Sequence, residues 1–267
     1  MQLGLPEQIS HTLKQLLNET SGVILLTGPA GSGKTTTIYA SLREIVDESQ
    51  GKRSLVSLED PIEVVVPGVS QSQVNDSVDF TLANGLRSLM RQDPEVIMVG
   101  EIRDRATAET VFQASLTGHL VITTFHAGSA AGAVSRLLDM GIEPYLLRSS
   151  LRAIVSQRLM RQLCQCSVND DSIAAGGVHG LTSARKPVGC DQCRGTGYSG
   201  RTLLAELIQP ESGPTAHAIL DKQDTNTIES AAMSSGMTSQ RQRAIEAIET
   251  GVTSIEEVYR ILGRLSD

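Results

Sequence analysis

The segment Gly28–Thr35, with the sequence GPAGSGKT, places glycine, lysine and threonine at the spacing G-x-x-x-x-G-K-[ST]. Glycines let backbone N–H groups turn toward a phosphate, and the lysine supplies a cation for the β- and γ-phosphates. A threonine hydroxyl at the last position can ligate Mg²⁺. The segment therefore predicts a nucleoside triphosphate site, and the alternative is a chance glycine turn. The residues predicted to bind the nucleotide in this loop are Gly28, Gly31, Ser32, Gly33, Lys34, Thr35 and Thr36.

Acidic residues follow two of the apolar runs. The segment SLEDPIE contains Glu59, Asp60 and Glu63. The run VIMVGE ends at Glu101, and Gly100 stands where an aspartate is usual. Hydrolysis of a phosphoanhydride needs an acid near the metal and a group that activates or positions water. These acids suit both tasks if the two runs are strands that end at one sheet edge; the alternative is that they cap helices or lie on solvated turns.

Two histidines bracket the apolar run LVITT in the segment TGHLVITTFHA. His126 lies at the carboxyl end of this run, beside the predicted phosphate site, and His119 lies at the opposite end. Metal binding by the pair is disfavoured because a strand would hold the two rings apart. We predict that His126 senses the nucleotide, and the alternative is that both histidines are structural.

The four cysteines form two close pairs, C-Q-C and C-D-Q-C, with 23 residues between the pairs. Two cysteine pairs separated by a loop are typical of a tetrahedral zinc site. Such a site would be structural, because the protein supplies all four ligands and leaves no open position. The alternative is four free thiols in a collapsed loop. The predicted zinc ligands are Cys164, Cys166, Cys190 and Cys193.

Short apolar runs alternate with helical patterns before the cysteines. The predicted strands are Val23–Thr27, Arg53–Leu58, Val96–Val99 and Leu120–Thr124, and polar residues follow them. Alternating strands and helices predict an α/β fold, whose parallel sheet binds ligands at the carboxyl ends of its strands. The predicted helices are Leu3–Asn18, Lys34–Asp47, Phe80–Gln92, Thr107–Leu116, Ala131–Met140 and Pro144–Leu163.

The composition changes near Cys164. Residues 164–200 are rich in Gly, Ser and Cys, and helical patterning returns over Leu203–Gly263. We therefore predict three segments: a core at 1–163, a four-cysteine subdomain at 164–200 and a C-terminal helical subdomain at 201–267. No apolar run approaches the roughly 18 residues of a spanning helix, and the N-terminus lacks a signal-peptide pattern. These features predict a cytoplasmic location, where cysteines serve as metal ligands or buried thiols more often than as disulfides.

Four motifs stand in one order along the chain: GPAGSGKT, SLEDPIE, VIMVGEIRD and TGHLVITTFHA. In order and wording they resemble the type II secretion and type IV pilus assembly ATPases of the secretion ATPase superfamily. The resemblance covers essentially the whole chain. It is specific because a phosphate loop, an acidic box, a Gly-Glu form of the Walker B segment and a histidine box rarely coincide by chance. It implies a RecA-like P-loop NTPase sheet flanked by helices, with a small four-cysteine insertion.

The resemblance also implies roles for individual residues. Lys34 and Thr35 would bind phosphate and Mg²⁺. Glu63 matches the catalytic glutamate that activates water, and Glu101 matches the Walker B glutamate at the magnesium site. His119 and His126 match the histidine box, and His126 is favoured as its γ-phosphate sensor. Three arginines resemble family arginines at active-site or subunit contacts: Arg87, Arg91 and Arg103.

For function, the resemblance implies a motor subunit that hydrolyses ATP with Mg²⁺ and carries Zn²⁺. Six copies would form a homohexameric ring on an inner-membrane platform protein, so membrane association would be peripheral. The cysteines and the segment GYSGRTLLAEL favour secretion or pilus assembly over retraction. The alternatives are a nucleotide-binding structural or regulatory subunit that hydrolyses poorly, and a DNA-uptake or conjugation motor. A net charge of -7 argues against direct nucleic-acid contact.

The chain departs from the family pattern in three places. His126 is followed by Ala127 and Gly128, where the family has His-Thr-Asn, and the first cysteine pair has one intervening residue instead of two. The family also carries a preceding domain that supplies arginines to the active site, whereas 27 residues precede Gly28 in this sequence. We therefore expect either a fragment or a shortened homologue, and slow ATP turnover by the isolated chain.

Overall fold

The structure is a computed structural model, which describes residues 3–170 and 181–264. The chain forms two compact units. The first comprises Met1–Gln157 and Glu206–Met237, and the second comprises Arg158–Ala205 and Thr238–Asp267. Within the described ranges, no helix combines the length and the apolar character needed to cross a bilayer.

Strands and helices alternate through most of the first 150 residues, and a short 3-10 helix lies at Asp76–Val78. In chain order the elements are α1 (Glu7–Leu17), β1 (Gly22–Thr27), α2 (Lys34–Ser49), β2 (Leu55–Glu59), β3 (Ser70–Gln73), α3 (Leu82–Leu89), β4 (Val96–Val99), α4 (Arg105–Leu116), β5 (Leu120–Phe125), α5 (Ala130–Asp139), α6 (Pro144–Ser150), β6 (Leu151–Leu163), β7 (Val168–Asn169), β8 (Arg185–Lys186), β9 (Tyr198–Ile208), α7 (Gly213–Leu220), α8 (Thr225–Ser234), α9 (Gln240–Glu249) and α10 (Ile255–Leu262).

A seven-stranded sheet has the strand order β3-β2-β4-β5-β1-β6-β9. The pairs β1–β5, β1–β6, β2–β3, β2–β4 and β4–β5 are all parallel. The α/β fold predicted from the sequence, a P-loop sheet flanked by helices, is confirmed. Because Thr27 pairs with Phe125 and Leu58 pairs with Val99, the carboxyl ends of these strands meet at one edge. The loops that leave this edge carry the predicted site residues.

The core of the first unit is aliphatic, as the low aromatic content requires. Strands β1, β4 and β5 are buried along their whole length, which is typical of parallel strands covered by helices on both faces. Phe112 and Phe125 are the largest side chains among its fully buried residues. Helices α3, α4, α5, α7 and α8 contribute Leu86, Val111 and Val134, among others, to this core.

The predicted helix Pro144–Leu163 is wrong beyond its first turns. Helix α6 ends at Ser150, and strand β6 begins at Leu151. The segment LRAIVSQRL contains apolar residues at spacings that fit a buried strand as well as a helix, so periodicity alone cannot separate them. The structure shows a strand here, because Ala153, Ile154 and Val155 pair with β1 in parallel. Similarly, the predicted helical region from Leu203 begins later, because residues 203–208 belong to β9.

The second unit has its own small core. Met160, Leu204, Ile248 and Val258 belong to this apolar cluster. The same unit contains the two short antiparallel strands β7 and β8, in which Val168 pairs with Lys186. The predicted boundaries of the segments 1–163, 164–200 and 201–267 stay a prediction, and residues 1–2, 171–180 and 265–267 of those segments lie outside the described residues.

Candidate nucleotide site

The glycine-rich loop joins the end of β1 to the start of α2. Gly28 has φ +146°, and a Cβ added there would lie 2.3 Å from the Gln157 carbonyl oxygen and 2.6 Å from Ser32 Oγ. Glycine is therefore the residue that fits at this position. The Ser32 Oγ is buried without a hydrogen-bond partner among the described residues. A loop with close backbone approach and a free buried hydroxyl has the donors that a phosphate would use.

Helix α2 begins at Lys34 with a terminus suited to an anion. Its N-cap is Gly33 in the left-handed region, with no side-chain cap and no acid in the first turn. The first amides of the helix therefore remain available, and the helix dipole favours negative charge there. The predicted loop residues thus lie around one helix N-terminus. Thr36 lies exposed on the first turn and does not line the cavity at this sheet edge.

The side chain of Lys34 is only 8% exposed. Its Nζ donates to the carbonyl oxygens of Gly28, at 2.8 Å, and Pro29, at 2.9 Å. Burial lowers the pKa of Lys34, and the nearby charge of Glu101 partly opposes this shift. The ammonium group is thus held inside the loop by neutral acceptors, which phosphate oxygens can replace.

Glu101 follows β4 and contacts two cationic or potentially cationic side chains. Its Oε2 lies 3.1 Å from His126 Nε2, and its Oε1 accepts a hydrogen bond from Arg103 Nε. Arg103 also donates to Asp60 Oδ2 at 2.8 Å, so the guanidinium joins the acidic turn after β2 to Glu101. The bond to Glu101 raises the pKa of Arg103, which keeps this side chain charged. The structure therefore places the two acidic turns together.

A cavity of about 280 Å³ opens at this sheet edge. Its lining combines the loop, both acidic turns and the end of β5. The predicted site residues in that lining are Gly31, Lys34, Thr35, Glu63, Glu101 and His126. Gly28 and Ser32 are buried residues of the loop and are not part of the cavity lining. Residues from four separate loops thus share one polar cavity next to a helix N-terminus.

The other candidates lie elsewhere. His119 precedes β5 at the opposite end from His126, and its Nδ1 lies 2.9 Å from the Ala114 carbonyl oxygen. Arg87 lines a neighbouring cavity of about 440 Å³ together with Arg103. Arg91 is exposed and lines neither cavity.

Sequence reasoning missed two features of the cavity wall, Tyr39 and the buried state of Glu59. Tyr39 Oη donates to Glu59 Oε2 at 2.5 Å, and both side chains line the cavity. The sequence places Glu59 in an acidic turn, but Glu59 is the last residue of β2 and is 3% exposed. In the sequence, the signal for this contact is a tyrosine among the apolar residues of α2, five positions after Lys34.

The four cysteines come together in the second unit. All four sulfur atoms lie within 4.8 Å of one another. The Cys164–Cys190 and Cys166–Cys193 pairs are each 3.9 Å apart, and Cys190–Cys193 is 3.7 Å. Four sulfurs around a tetrahedral zinc, with Zn–S near 2.3 Å, are about 3.8 Å apart. The shortened C-Q-C pair therefore does not prevent the geometry of a zinc site.

The cluster also favours a thiolate. Burial alone would raise the pKa of Cys193, but N–H groups of Cys190 and Gly197 donate to its sulfur and bring the pKa below its usual range. Burial and the neighbouring sulfurs raise the pKa of Cys166. One sulfur thus prefers the anion while a neighbour resists it, as expected where neighbouring thiols share one site and one thiolate disfavours a second.

Comparison with known proteins places the chain in a family. The family described as Type II/IV secretion system protein matches residues 1–260. The chain is 43% identical over 264 residues to the type II secretion system protein E of Pectobacterium carotovorum subsp. carotovorum. It is 44% identical over 262 residues to the type II secretion system protein HxcR of Pseudomonas aeruginosa. Each match covers 97% of this chain and 52% of the relative, so the chain spans about half the length of these curated relatives.

Solved structures agree with this assignment. The pilus retraction motor PilT with bound ADP superposes with a TM-score of 0.69 at 28% identity, covering 97% of this chain and 65% of that chain. The ATPase DotB of Legionella pneumophila, at 23% identity, shares the fold with a TM-score of 0.68 over 97% of this chain and 63% of its own. The chain belongs to the Type II/IV secretion system protein family.

Proposed function

We propose that this chain is the ATP-hydrolysing motor subunit of a machine for type II protein secretion or type IV pilus or pseudopilus assembly. The observation that carries the proposal is the shared cavity, which joins Lys34 and Thr35 to Glu63, Glu101 and His126. Relatives at 43% and 44% identity are named type II secretion system proteins. A structural relative at 28% identity is a pilus retraction motor with bound ADP, which supports nucleotide binding by a chain of this fold.

In the proposed complex, the loop and the start of α2 hold the phosphates of ATP. Backbone N–H groups from Gly33 to Thr36 face the anion, and the Lys34 ammonium leaves the Gly28 and Pro29 carbonyls for phosphate oxygens. The Ser32 hydroxyl, buried and without a partner within the described chain, would donate to a phosphate. These exchanges replace neutral acceptors by charged ones, which strengthens each hydrogen bond.

Thr35 and Glu101 are the residues that would hold Mg²⁺. A hydroxyl and a carboxylate suit this cation, because Mg²⁺ prefers oxygen ligands and few of them from protein. When bound, Mg²⁺ neutralises charge on the phosphates. Glu101 already lies beside Arg103 and His126, so both neighbours would have to adjust when the carboxylate turns toward a metal.

Glu63 would act as the base. It is exposed in the cavity wall, and no hydrogen bond from the described residues engages its carboxylate. A free carboxylate can accept a proton from the attacking water at one of its oxygens. His126, at the end of β5, would donate to the terminal phosphate and thereby report whether that phosphate is present.

The four-cysteine cluster would hold a structural Zn²⁺. Three of the six sulfur separations are 3.7–3.9 Å and all lie within 4.8 Å, which suits tetrahedral ligation by four ligands from the protein. For the assembled machine, we propose a homohexameric ring on an inner-membrane platform protein, in the cytoplasm and peripheral to the membrane. The cysteines favour secretion or assembly over retraction, and no direct nucleic-acid contact is proposed.

The test separates hydrolysis from binding. In Glu63→Gln, ATP affinity should stay within about twofold while hydrolysis at high protein concentration falls about 100-fold. Glu143→Gln is the matched control, because Glu143 is exposed and lies outside the cavity lining. If both variants hydrolyse ATP like the wild type, Glu63 is not the base. If the wild type binds ATP but does not hydrolyse it in any oligomeric state, the alternative of a structural or regulatory subunit is favoured.

A further inference from the structure

Tyr39 connects the helix after the phosphate loop to the turn that carries Glu63. It lies on α2 and is 4% exposed. Its hydroxyl oxygen accepts hydrogen bonds from the backbone N–H of Glu63, at 3.1 Å, and of Val64, at 3.3 Å. The same hydroxyl donates to Glu59 Oε2 at 2.5 Å. One side chain therefore contacts two segments that flank the same cavity.

Glu59 is fixed in turn by three donors. Besides Tyr39, its Oε1 accepts from Ser57 Oγ at 2.6 Å and from Gln71 Nε2 at 2.8 Å. Buried carboxylates with several donors hold their position well, because each lost hydrogen bond would leave an unpaired group at low dielectric. Burial, followed by the bond to Glu59, raises the pKa of Tyr39, so the hydroxyl keeps the proton that it donates.

Gln71 extends the same network along the turn. Its Nε2 also donates to the Val64 carbonyl oxygen at 3.0 Å, and its Oε1 accepts from the Val66 N–H at 2.7 Å. The backbone from Glu63 to Val66 is thus held by side chains of α2 and β3. The Glu63 carboxylate itself is exposed and free of hydrogen bonds within the described part of the chain, so its position depends on this backbone.

We propose that Tyr39 is a positioning residue, whose hydroxyl holds the Glu63 turn at a fixed place relative to the phosphate loop. This inference rests on the proposed function, in which Glu63 is the base. If the buried hydroxyl needed only a hydrogen-bond partner, a water molecule or a distant carbonyl would be sufficient. The Tyr39 hydroxyl instead engages the two amides that begin the reactive turn, and it comes from the helix that starts at Lys34. Base and phosphate are thereby linked through one side chain.

The first test measures the turn directly. Tyr39→Phe removes the hydroxyl and keeps the ring. Ser41→Ala is the matched control, because Ser41 is a buried hydroxyl of the same helix that donates within it, to the Thr37 carbonyl. Amide hydrogen exchange of Glu63 and Val64 should become about tenfold faster in Tyr39→Phe and stay unchanged in Ser41→Ala. Unchanged exchange at both amides in a folded Tyr39→Phe overturns the inference, whatever the ATPase activity.

The second test measures coupling to the base. Tyr39→Phe should lower kcat about tenfold with KM for ATP within about twofold, because a small displacement of the base affects chemistry more than binding. In the Glu63→Gln background, the same change should lower the residual rate less than about twofold. Equal losses in both backgrounds would show a general structural role and overturn the inference. Full activity in Glu63→Gln would instead contradict the proposed role of Glu63 as the base, while the exchange experiment still tests the link.

If Tyr39→Phe folds poorly, a second variant tests the same hydrogen-bond network. Glu59→Gln keeps the Tyr39 ring and hydroxyl but replaces the charged acceptor by a neutral amide oxygen, which weakens the hydrogen bond. We expect about a threefold fall in kcat and faster exchange of the same two amides. A folded Glu59→Gln with wild-type kcat and wild-type exchange counts against positioning by this network.

Discussion

The nucleotide cavity and the four-cysteine cluster are built from different kinds of ligand. The cavity brings together a lysine, two glutamates and a histidine from four loops, and several of them already contact one another. The cluster brings together four identical ligands from two short segments, with all sulfur atoms within 4.8 Å of one another. In the proposed function, the first arrangement exchanges partners during ATP hydrolysis, whereas the second would hold one cation without exchange.

This difference suggests opposite responses to perturbation. In the cavity, Lys34 and Glu101 have protein partners that substitute for ligands, so losing the nucleotide leaves no bare charge. In the cluster, all four sulfurs lie within 4.8 Å of one another, and thiolates this close repel one another without a cation. Ligand removal should therefore change activity in the first unit and stability in the second.

Zinc removal should have the largest effect. A strong chelator should lower the free energy of unfolding of the second unit by several kcal/mol, on the order expected when a structural metal is removed. Hydrogen exchange in α9 and α10 and metal analysis of the purified protein would measure this. The control is Cys190→Ser, which should already show the destabilised state and respond little to chelator. A zinc-free wild type with unchanged exchange would contradict the prediction.

Replacement of Lys34 should weaken nucleotide binding in the cavity without lowering the stability of the second unit. Lys34→Ala should weaken ATP binding about 100-fold, because it removes the cation that faces the phosphates, while the second unit stays folded. Titration with a fluorescent ATP analogue measures the affinity. Lys52→Ala is the control, since Lys52 is exposed just beyond α2. An affinity within about threefold of the wild type would show that the phosphates bind elsewhere.

Acidification should test a second group that stabilises the second unit, the buried carboxylate of Glu257. Glu257 is 0% exposed and accepts hydrogen bonds from Arg161 and Arg260. Burial alone would raise the pKa of Glu257, but these two arginines outweigh it and lower the pKa to about 2. A carboxyl whose pKa is lowered by folding stabilises the protein above its unfolded pKa of 4.5, and this stability is lost as the pH falls toward 2.

The expected loss is about 2 kcal/mol, typical of hydrogen bonds to a charged group. Urea unfolding of the second unit between about pH 5 and about pH 2 would measure it. Glu257→Gln should start less stable and show a flatter pH dependence in this range. Glu256→Gln, an exposed neighbour on the same helix, is the control. Equal pH dependence in wild type and Glu257→Gln would assign the acid sensitivity to other groups.

The two regions also differ in how well the sequence predicts them. The spacing of the phosphate-loop residues and of the cysteines predicts their local geometry, because residues close together in the chain must contact the same ligand. The parallel sheet then brings Glu63, Glu101 and His126 to one edge. By contrast, Glu59 looks like its acidic neighbours in sequence, and only strand pairing shows that it is the buried end of β2. Likewise β6 resembles a helix until its pairing with β1 is known.

Replacement of Arg103 should have the smallest effect. Its side chain is 53% exposed, and its guanidinium joins Asp60 to Glu101. An ion pair so open to solvent contributes less than about 1 kcal/mol, so Arg103→Gln should barely change the unfolding midpoint. Because the change frees Glu101 from a competing cation, Mg²⁺ affinity in the presence of ATP should rise about threefold. Isothermal titration with Mg²⁺ would measure it, with Arg148→Gln as an exposed control outside the cavity. Weaker Mg²⁺ binding in Arg103→Gln would mean that Arg103 supports the nucleotide complex instead of competing for Glu101.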